Sequence, residues 1–338
     1  MSVYKGKKIR LEITGSSHGE KIIMRLKGLK GLSFDYAEVE NMLKRRSAKG
    51  KVGATERIEK DEPKFIGGVK NGRVTGEIVA EFTNGNVRKS DYDELYGKPR
   101  PSHADIGRYF KSGELDYCGG GEFSGRMTVA LCLAGAIAKS ALKKNYGSEI
   151  TARFTQAGKI ANATEQEYFE EIERAKADGD SVGARVECIA TNVPKGLGGA
   201  MFDGLEGKIA ALCYAIPAVK GVSFGKGFGL CSLRGSEAND EITVKDEKIT
   251  FLSNNDGGIY GGISCGDICV SVAFKPIPSI KKQQNTVNLL NYENAKISVN
   301  GRHDVCAALR ALPVVEAAVA LAITDEVLYE RSRKTRKT

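Results

Sequence analysis

Residues 299–326 read VNGRHDVCAALRALPVVEAAVALAITDE, a compact polar loop that runs directly into a long apolar segment. From Cys306 onward, apolar side chains occupy every side of a 3.6-residue helical wheel, and a helix of that kind has to be covered by protein on all faces. Arg302, His303 and Asp304 stand in a row just before it. The stretch therefore predicts a central buried helix with ionisable side chains at its N-terminus.

A second helix of the same kind is predicted at 124–142, SGRMTVALCLAGAIAKSAL, which is rich in apolar and small residues. Gly119 to Gly121 lie just before it. Glycines at a helix N-terminus expose backbone N–H groups where the helix dipole is positive, which favours an anion. Arg126, in the first turn, would reinforce such a site.

Alternating apolar residues predict strands at 8–14 and 267–274, and two strands within 64–82 joined by the hairpin turn Asn71-Gly72. An Asp-x-x-Glu pattern at Asp35 and Glu38 predicts the start of a short helix. Helices are also predicted at 163–180, which is acidic and exposed, and at 205–214. The glycine pattern at 222–230 lacks a following helix, so it does not indicate a dinucleotide-binding fold.

The composition is that of a soluble globular protein, with 338 residues, 41% of them hydrophobic and 28% charged. Glu316 interrupts the longest apolar run before it reaches the roughly 18 residues that a membrane span needs. The N-terminus leads into a strand and lacks the apolar region of a signal peptide. We therefore expect a cytoplasmic protein.

The eight cysteines are scattered among apolar residues without a CxxC pair, which favours buried, reduced thiols over disulfides. Neither they nor the histidines show the spacing of metal ligands, so no metal site is predicted. Part of the net charge of +9 comes from the C-terminal segment 331–338, a predicted flexible tail with five basic residues. The remaining excess would suit a pocket for a small polyanion.

The chain has three histidines, His18, His103 and His303, and all of them lie in irregular polar loops. His18 belongs to GSSHGE at 15–20, and His103 to RPSHAD at 100–105. Each is followed within two positions by a carboxylate. Because imidazole titrates near neutrality, three such histidines indicate acid–base catalysis.

Two further segments favour anion or ring binding. The basic segment LKRRSAKGK at 43–51 predicts either a solvated loop or a loop that closes over a phosphate or carboxylate. The glycine pairs of SNNDGGIYGGISCG at 253–266 would let a flat ligand approach the backbone, with its phosphate near the lysine of KPIPS at 275–279.

Taken together, nine segments resemble the chorismate synthase family, in that family's order and over residues 15–325. They are GSSHGE, KRRSAKG, RPSHAD, GGGEFSGRMT, AIPAVKGVSFGKGF, LRGSEANDEI, NNDGGIYGGISCGD, FKPIPSI and GRHDVCAALRALPVVEAAVALAITD. The resemblance implies an α+β fold, a single-domain layered sandwich of antiparallel sheets around buried apolar helices, spanning residues 1–330. It also implies a homotetramer that converts 5-enolpyruvylshikimate 3-phosphate to chorismate by 1,4-elimination of phosphate. Reduced FMN is required without net redox change.

The resemblance also assigns residues by position. The catalytic residues would be His18, which protonates the reduced flavin, His103, the acid near the departing phosphate, and Asp304, which helps to remove the substrate proton beside flavin N5. The substrate would contact Ser17, Arg45, Arg100, Arg126 and Arg302. The FMN contacts would be Ser124, Glu237, Ala238, Gly261, Lys275, Pro276, Ile277, Pro278, Ser279 and Arg302. An NADP site, for NADPH as reductant, would use Arg45 and Lys51.

Three positions depart from the family pattern, since Ser16, Glu122 and Met127 stand where the family usually has glutamate, arginine and glutamate. A carboxylate at Glu122 is expected to weaken the cation field beside the flavin. Two other functions stay open at this stage. One is an FMN-dependent oxidoreductase, and the other is a basic nucleic-acid-binding protein, although aromatic residues are few.

Overall fold

The computed structural model describes residues 1–48, 53, 59–85, 95–116, 120–300 and 303–335. The helices in this part of the chain are α1 Tyr36–Arg46, α2 Asp105–Ser112, α3 Thr128–Tyr146, α4 Glu165–Ala177, α5 Leu205–Tyr214, α6 Gly235–Ala238 and α7 Ala308–Lys334. The strands are β1 Ser2–Lys5, β2 Arg10–Gly15, β3 Lys21–Lys27, β4 Lys64–Lys70, β5 Arg73–Thr83, β6 Glu149–Ala157, β7 Ile160–Ala161, β8 Ala184–Thr191, β9 Val219–Phe224, β10 Ile242–Lys245, β11 Lys248–Phe251, β12 Ile259–Tyr260, β13 Ile263–Ser264, β14 Ile268–Phe274, β15 Gln284–Asn288 and β16 Glu293–Ile297.

Two five-stranded sheets form the outer layers. The first has the strand order β1-β2-β3-β5-β4, and the second has the order β7-β6-β8-β14-β9. All the described strand pairings in both sheets are antiparallel. Their apolar faces are covered by helices, as the alternation of buried residues along β3 and β8 requires.

The helices lie between the sheets. α3 packs on β2 and β3 of the first sheet, α7 packs on β6 and β8 of the second, and the two helices pack against each other. A Cβ at Gly135 of α3 would overlap the Cα and Cβ of Ala317 in α7 and lie 2.5 Å from its carbonyl oxygen. Glycine is needed there because the helix backbones approach so closely. The predicted α+β layered sandwich is confirmed.

The predicted central helix is also confirmed, since α7 is buried along most of its length from Ala308 to Val327. The helix continues to Lys334, so residues 331–334, which the sequence predicts as part of a flexible tail, are helical. These residues extend the helix with a last turn rich in basic side chains, where positive charge suits the dipole. Residues 336–338 lie outside the described part of the chain.

The turn Asn71-Gly72 joins β4 to β5 as predicted, with both residues at positive φ. The basic segment differs from the prediction, because α1 continues through Arg45 and ends at Arg46, with Ser47 as its C-cap. α3 begins at Thr128 rather than at Ser124. The intervening residues form a 3₁₀ turn that the side chain of Ser124 caps at the N–H of Arg126.

By length and mean hydropathy alone, the segment Gly125–Tyr146 could cross a membrane, but 89% of its most apolar window is buried inside the protein. That burial is typical of a core helix. The seven cysteines in the described part of the chain are free thiols. Burial raises the pKa of Cys132 to about 12, so this thiol is an inert core side chain.

Candidate active site

A cavity of about 750 Å³ opens where the N-terminal ends of α3 and α7 meet the loops of both sheets. All three histidines line it, each from a different loop: His18 between β2 and β3, His103 before α2, and His303 before α7. The sequence placed these residues in separate polar loops. The fold brings them to one site.

Cationic side chains dominate the lining. Among the residues described, the cations that line the cavity are Arg46, Arg100, Lys111, Arg126, Lys220, Lys275 and Arg310, and the carboxylates are Glu59, Glu122 and Asp304. The excess of positive charge in a concave site favours a small ligand with several negative charges.

Asp105 holds two of the predicted site residues together. Its carboxylate accepts hydrogen bonds from Nε of Arg100 at 2.7 Å and from Nη2 of Arg100 at 2.9 Å, and it lies 2.5 Å from Nδ1 of His103. Both Asp105 and Arg100 are buried. Burial would raise the pKa of Asp105, but His103 and Arg100 outweigh it and lower the pKa to about 2.

This ionised carboxylate fixes the tautomer of His103. Nδ1 donates to Asp105, so Nε2 is the ring atom left for a ligand. Burial lowers the pKa of His103, Asp105 opposes that shift, and the charges of Arg100 and Lys275 add to it, with a net fall below the ordinary value. His103 is therefore neutral near pH 7 until a negative charge binds beside it.

A second buried carboxylate, Asp61, joins two arginines. Its Oδ2 accepts from Nη1 of Arg46 at 2.6 Å, and its Oδ1 accepts a short hydrogen bond from Nη1 of Arg126. Burial would raise the pKa of Asp61, but the two guanidinium groups outweigh it and the pKa falls below its usual value. The two arginines thus share one counter-ion beside the cavity.

Asn84 links Arg126 to the loop that carries His18. Its Oδ1 accepts from Nε of Arg126 at 3.1 Å, while its Nδ2 donates to the carbonyls of Ser16 and Gly19 at 3.1 and 2.8 Å. Inside that loop, the Ser17 hydroxyl lies 2.8 Å from Nδ1 of His18. Ser17 is fully buried and supports His18 rather than lining the cavity.

Asp304 lines the cavity just before α7, and Arg310 lines it from the first turn of that helix. Nη1 of Arg310 lies 3.4 Å from Oδ2 of Asp304, and Nε of Arg310 donates to the carbonyl of Arg46 at 3.2 Å. Arg310 therefore ties the start of α7 to the end of α1. It also places a cation next to the predicted catalytic carboxylate.

Another part of the cavity lining is largely apolar. It consists of the segment from Ile216 to Val219 together with Ile277 and Pro278. Ala218 has a positive φ of 73°, a conformation that costs energy for a residue with a Cβ and that recurs at ligand sites. Nearby, Nζ of Lys275 donates a short hydrogen bond to the carbonyl of Ser102.

The structure groups many of the residues that the sequence assigned to the site. The assigned residues that line the cavity are His18, His103, Asp304, Arg100, Arg126, Ser124, Lys275, Ile277, Pro278 and Ser279. Among the described residues with an assignment, those outside the lining are Ser17, Arg45, Pro276, Glu237, Ala238 and Gly261. Arg302 and Lys51 lie outside the described part of the chain.

Arg45 is turned away from the cavity. Its Nη1 and Nη2 donate to the fully buried carboxylate of Glu316 at 2.9 and 2.6 Å. Its neighbour Arg46 lines the cavity instead, and Arg46 is buried. On a helix, adjacent side chains point in directions about 100° apart, so only one of the two can face the site.

Sequence reasoning missed Arg46, Asp61, Asn84 and Arg310. A signal existed for Arg46, because Val39, Met42, Leu43 and Arg46 follow the spacing of one buried helix face. The other three carry no such pattern. Asp61, for example, stands in the charged segment EKDEPK, which looks like an exposed loop.

The three departures have different surroundings. The backbone carbonyl of Ser16 accepts from Asn84, and the half-buried Met127 packs against the core. The exposed carboxylate of Glu122 lines the cavity and lies 3.7 Å from the amino group of Met1. At Glu122 the lining thus carries a carboxylate paired with an ammonium group.

A layered α+β fold with histidines, carboxylates and a cationic lining in one cavity defines an enzyme that acts on a small polyanion. The sequence model of chorismate synthase matches residues 9–328, so the chain belongs to the chorismate synthase family. The chorismate synthase of Thermococcus kodakarensis is 42% identical over 97% of this chain and 98% of its own length. That of Korarchaeum cryptofilum is 41% identical over 96% of both chains.

A crystal structure of chorismate synthase shares the fold, with a TM-score of 0.73 over 96% of this chain and 93% of that chain. The sequences are 24% identical, so this likeness supports the fold alone.

Proposed function

We propose that this chain catalyses the 1,4-anti-elimination of phosphate from 5-enolpyruvylshikimate 3-phosphate, giving chorismate for the biosynthesis of aromatic amino acids. It is a carbon–oxygen lyase of the shikimate pathway. Besides family membership, the observation that carries this proposal is the cavity that combines three histidines with Arg46, Arg100 and Arg126. The substrate has one phosphate and two carboxylates, which match such a lining.

The anionic groups of the substrate are held by the buried arginines. Arg126 lines the cavity, and its Nη2 has no hydrogen-bond partner among the described residues. A buried cationic donor without a hydrogen-bond partner destabilises the protein, unless a ligand accepts its hydrogen bond. We assign Arg46 to this binding set in place of Arg45, together with Arg100 and Arg126. Arg302, assigned by resemblance, stays in the proposal.

His103 is the general acid for the departing phosphate. Nδ1 is engaged by Asp105, so the proton is delivered from Nε2. The negative charge of the incoming phosphate raises the pKa of His103, so the ring becomes protonated. The ring then donates this proton to the phosphate as it departs.

Asp304 helps to remove the substrate proton, and Nη1 of Arg310 in α7 lies 3.4 Å from its carboxylate. His18, on the loop between β2 and β3, is oriented through Nδ1 by the buried hydroxyl of Ser17 and would protonate the reduced flavin, as the resemblance implies. His303 lines the same cavity and has no assigned step.

The cavity fits a bound FMN. Its volume is near the upper end of the roughly 300–1,000 Å³ typical of ligand sites, its lining includes apolar residues, and Nη2 of Arg126 is buried without a hydrogen-bond partner among the described residues. When bound there, reduced FMN would supply the transient electron density that weakens the C–O bond to phosphate, with no net redox change. Ser124 and the segment from Lys275 to Ser279 would hold it, with Arg302 as the resemblance implies.

A homotetramer is the proposed assembly. Val244 of β10 and Ile249 of β11 are cross-strand neighbours, and both are largely exposed with Ile242 on the same face of that two-stranded ribbon. Exposed apolar faces of this kind favour association. Glu237, Ala238 and Gly261 lie outside the cavity of their own chain, and a neighbouring copy would have to bring them to an FMN.

The remaining assignments rest on the family resemblance and on the amino-acid composition. We propose a single catalytic domain over residues 1–330, a cytoplasmic location, and no nucleic-acid or membrane partner. NADPH as flavin reductant would use Arg45 and Lys51. The involvement of Arg45 with Glu316 does not favour that site.

The flavin spectrum tests the cofactor. Protein mixed with FMN and 5-enolpyruvylshikimate 3-phosphate should perturb the flavin absorbance, and the mixture should release phosphate when the flavin is reduced. The competing function, an FMN-dependent oxidoreductase, predicts NADPH consumption in proportion to substrate reduced. Phosphate release without such consumption excludes it.

A further inference from the structure

Asp61 is a buried carboxylate that stands just behind the cavity. Only 4% of its side chain is exposed, and it is not among the described residues that line the cavity. It nevertheless contacts two that do, Arg46 and Arg126, through one oxygen each. Two buried guanidinium groups this close would repel each other, and Asp61 offsets that repulsion.

The remaining contacts of Arg126 leave one edge of its guanidinium group for a ligand. Nε donates to Asn84 at 3.1 Å and Nη1 donates to Asp61, whereas Nη2 is buried without a partner in the part of the chain that is described. Arg126 as a whole is 6% exposed. Asp61 and Asn84 therefore determine which donor faces the cavity.

Arg46 is held in a comparable way. Nε donates to Oγ1 of Thr128 at 3.1 Å, Nη2 donates to the carbonyl of Gly125 at 3.0 Å, and Nη1 donates to Asp61. Arg46 is thus tied to the turn before α3 and to Thr128 at its start, and Arg126 is itself part of that turn. Asp61 is the group that these two sets of contacts have in common.

We propose that Asp61 is a positioning residue for anion binding, which fixes Arg46 and Arg126 as a pair so that Nη2 of Arg126 meets an anionic group of the substrate. It acts through the arginines and touches no ligand itself. The inference rests on the proposed function for the identity of the substrate, but the arrangement applies to any phosphate-bearing ligand.

If Asp61 acts by positioning the arginines, Asp61→Asn should change anion affinity in the opposite direction from that expected if Asp61 acts only through its charge. If only the net charge of the site mattered, removing a negative charge behind two arginines would strengthen the binding of an anion. If Asp61 positions the arginines, its loss lets them separate, and binding weakens by about 10- to 100-fold. The sign of the change decides between the two.

The experiment measures the dissociation constants of inorganic phosphate and of 5-enolpyruvylshikimate 3-phosphate by calorimetry for the wild-type protein, Asp61→Asn and Asp203→Asn. Asp203 also lies between two cations, Lys7 and Lys208, and it does not line the cavity. It controls for the added positive charge and should leave both constants within about twofold. Unchanged or tighter binding in Asp61→Asn overturns the proposal.

Asp61→Glu keeps the charge and covers the case in which Asp61→Asn fails to fold. Moving the carboxylate by one methylene should weaken phosphate binding, with KM raised more than kcat is lowered, at an unchanged melting temperature. Wild-type binding in a folded Asp61→Glu overturns the proposal. If the wild-type protein binds inorganic phosphate but releases none from the enolpyruvyl substrate, the proposed function fails while the role of Asp61 is still decided by the binding data.

Discussion

Arg45 and Glu316 form a two-point ion pair between α1 and α7, with Nη2 to Oε1 at 2.6 Å and Nη1 to Oε2 at 2.9 Å. Lys139 of α3 contacts the same carboxylate at 2.6 Å, and the N–H of Ala152 in β6 donates to it at 3.0 Å. Four elements therefore meet at one carboxylate. This junction fixes the last turn of α1 and with it the direction of Arg46.

Replacing Glu316 with glutamine should destabilise the fold, because Arg45 and Lys139 would lose their buried counter-ion. Breaking a buried pair costs about 3–5 kcal/mol. The measurement is the free energy of unfolding, or the melting temperature where unfolding is irreversible. Glu40→Gln is the control, since its pair with Lys44 is exposed and is worth at most about 1 kcal/mol. Equal effects of the two substitutions would contradict the role of Glu316.

Lysine substitutions at Arg45 and Arg46 should distinguish the structural role of Arg45 from the ligand-binding role of Arg46. Arg46→Lys loses the planar fork that contacts Asp61, Thr128 and Gly125, so KM for the substrate should rise by about 10-fold or more. Arg45→Lys should lower the melting temperature and leave KM nearly unchanged. A larger rise of KM in Arg45→Lys would restore the assignment made from the family resemblance.

Alanine at Gly135 should force α3 and α7 apart, because its Cβ would overlap the backbone of Ala317. Overpacking of this kind costs roughly 1–3 kcal/mol, more than the helix propensity of alanine returns. Gly207→Ala in α5 is the matched control, since nothing lies within 4 Å of the added Cβ. It should be neutral or slightly stabilising, and a similar loss of stability at both positions would refute the close-contact explanation.

Substrate binding should draw a proton into the protein near pH 6.5. Burial lowers the pKa of His103, so its ring is largely neutral there in the free protein, and a bound phosphate dianion raises the pKa again. Affinity should therefore increase as the pH falls towards 6. Calorimetry in two buffers of different ionisation enthalpy measures the uptake.

His103→Gln is the control for that titration. It should lose the proton uptake and slow turnover by roughly 10²- to 10⁴-fold, as expected for removal of a general acid. Uptake that persists in His103→Gln would assign the titration to His18 or His303, which line the same cavity.

Much of the fold could be predicted from the sequence because its main signals are local. The all-round apolar pattern after Cys306 predicts α7, and the Asn71-Gly72 turn predicts the β4–β5 hairpin. The histidine loops were recognised by their residue types. That these loops meet at one cavity depends on the tertiary structure and cannot be inferred from their spacing in the sequence.

The residues that were missed owe their roles to distant partners. Asp61 contacts Arg126, which is 65 positions away, and Asn84 contacts Arg126 across 42 positions. The confusion of Arg45 with Arg46 has a different cause. Arg45 is assigned by resemblance to the family, and only the helical phase of α1 shows that Arg46 is the one turned inward.

The most direct test of the proposed chemistry is the number of phosphates released per reduced FMN under anaerobic conditions, with 5-enolpyruvylshikimate 3-phosphate in large excess over flavin and protein. We predict many phosphates and an equal amount of chorismate for each flavin, with the flavin still reduced at the end. Release of no phosphate, or of one phosphate for each flavin oxidised, would contradict the assignment of this cavity to an elimination without net redox change.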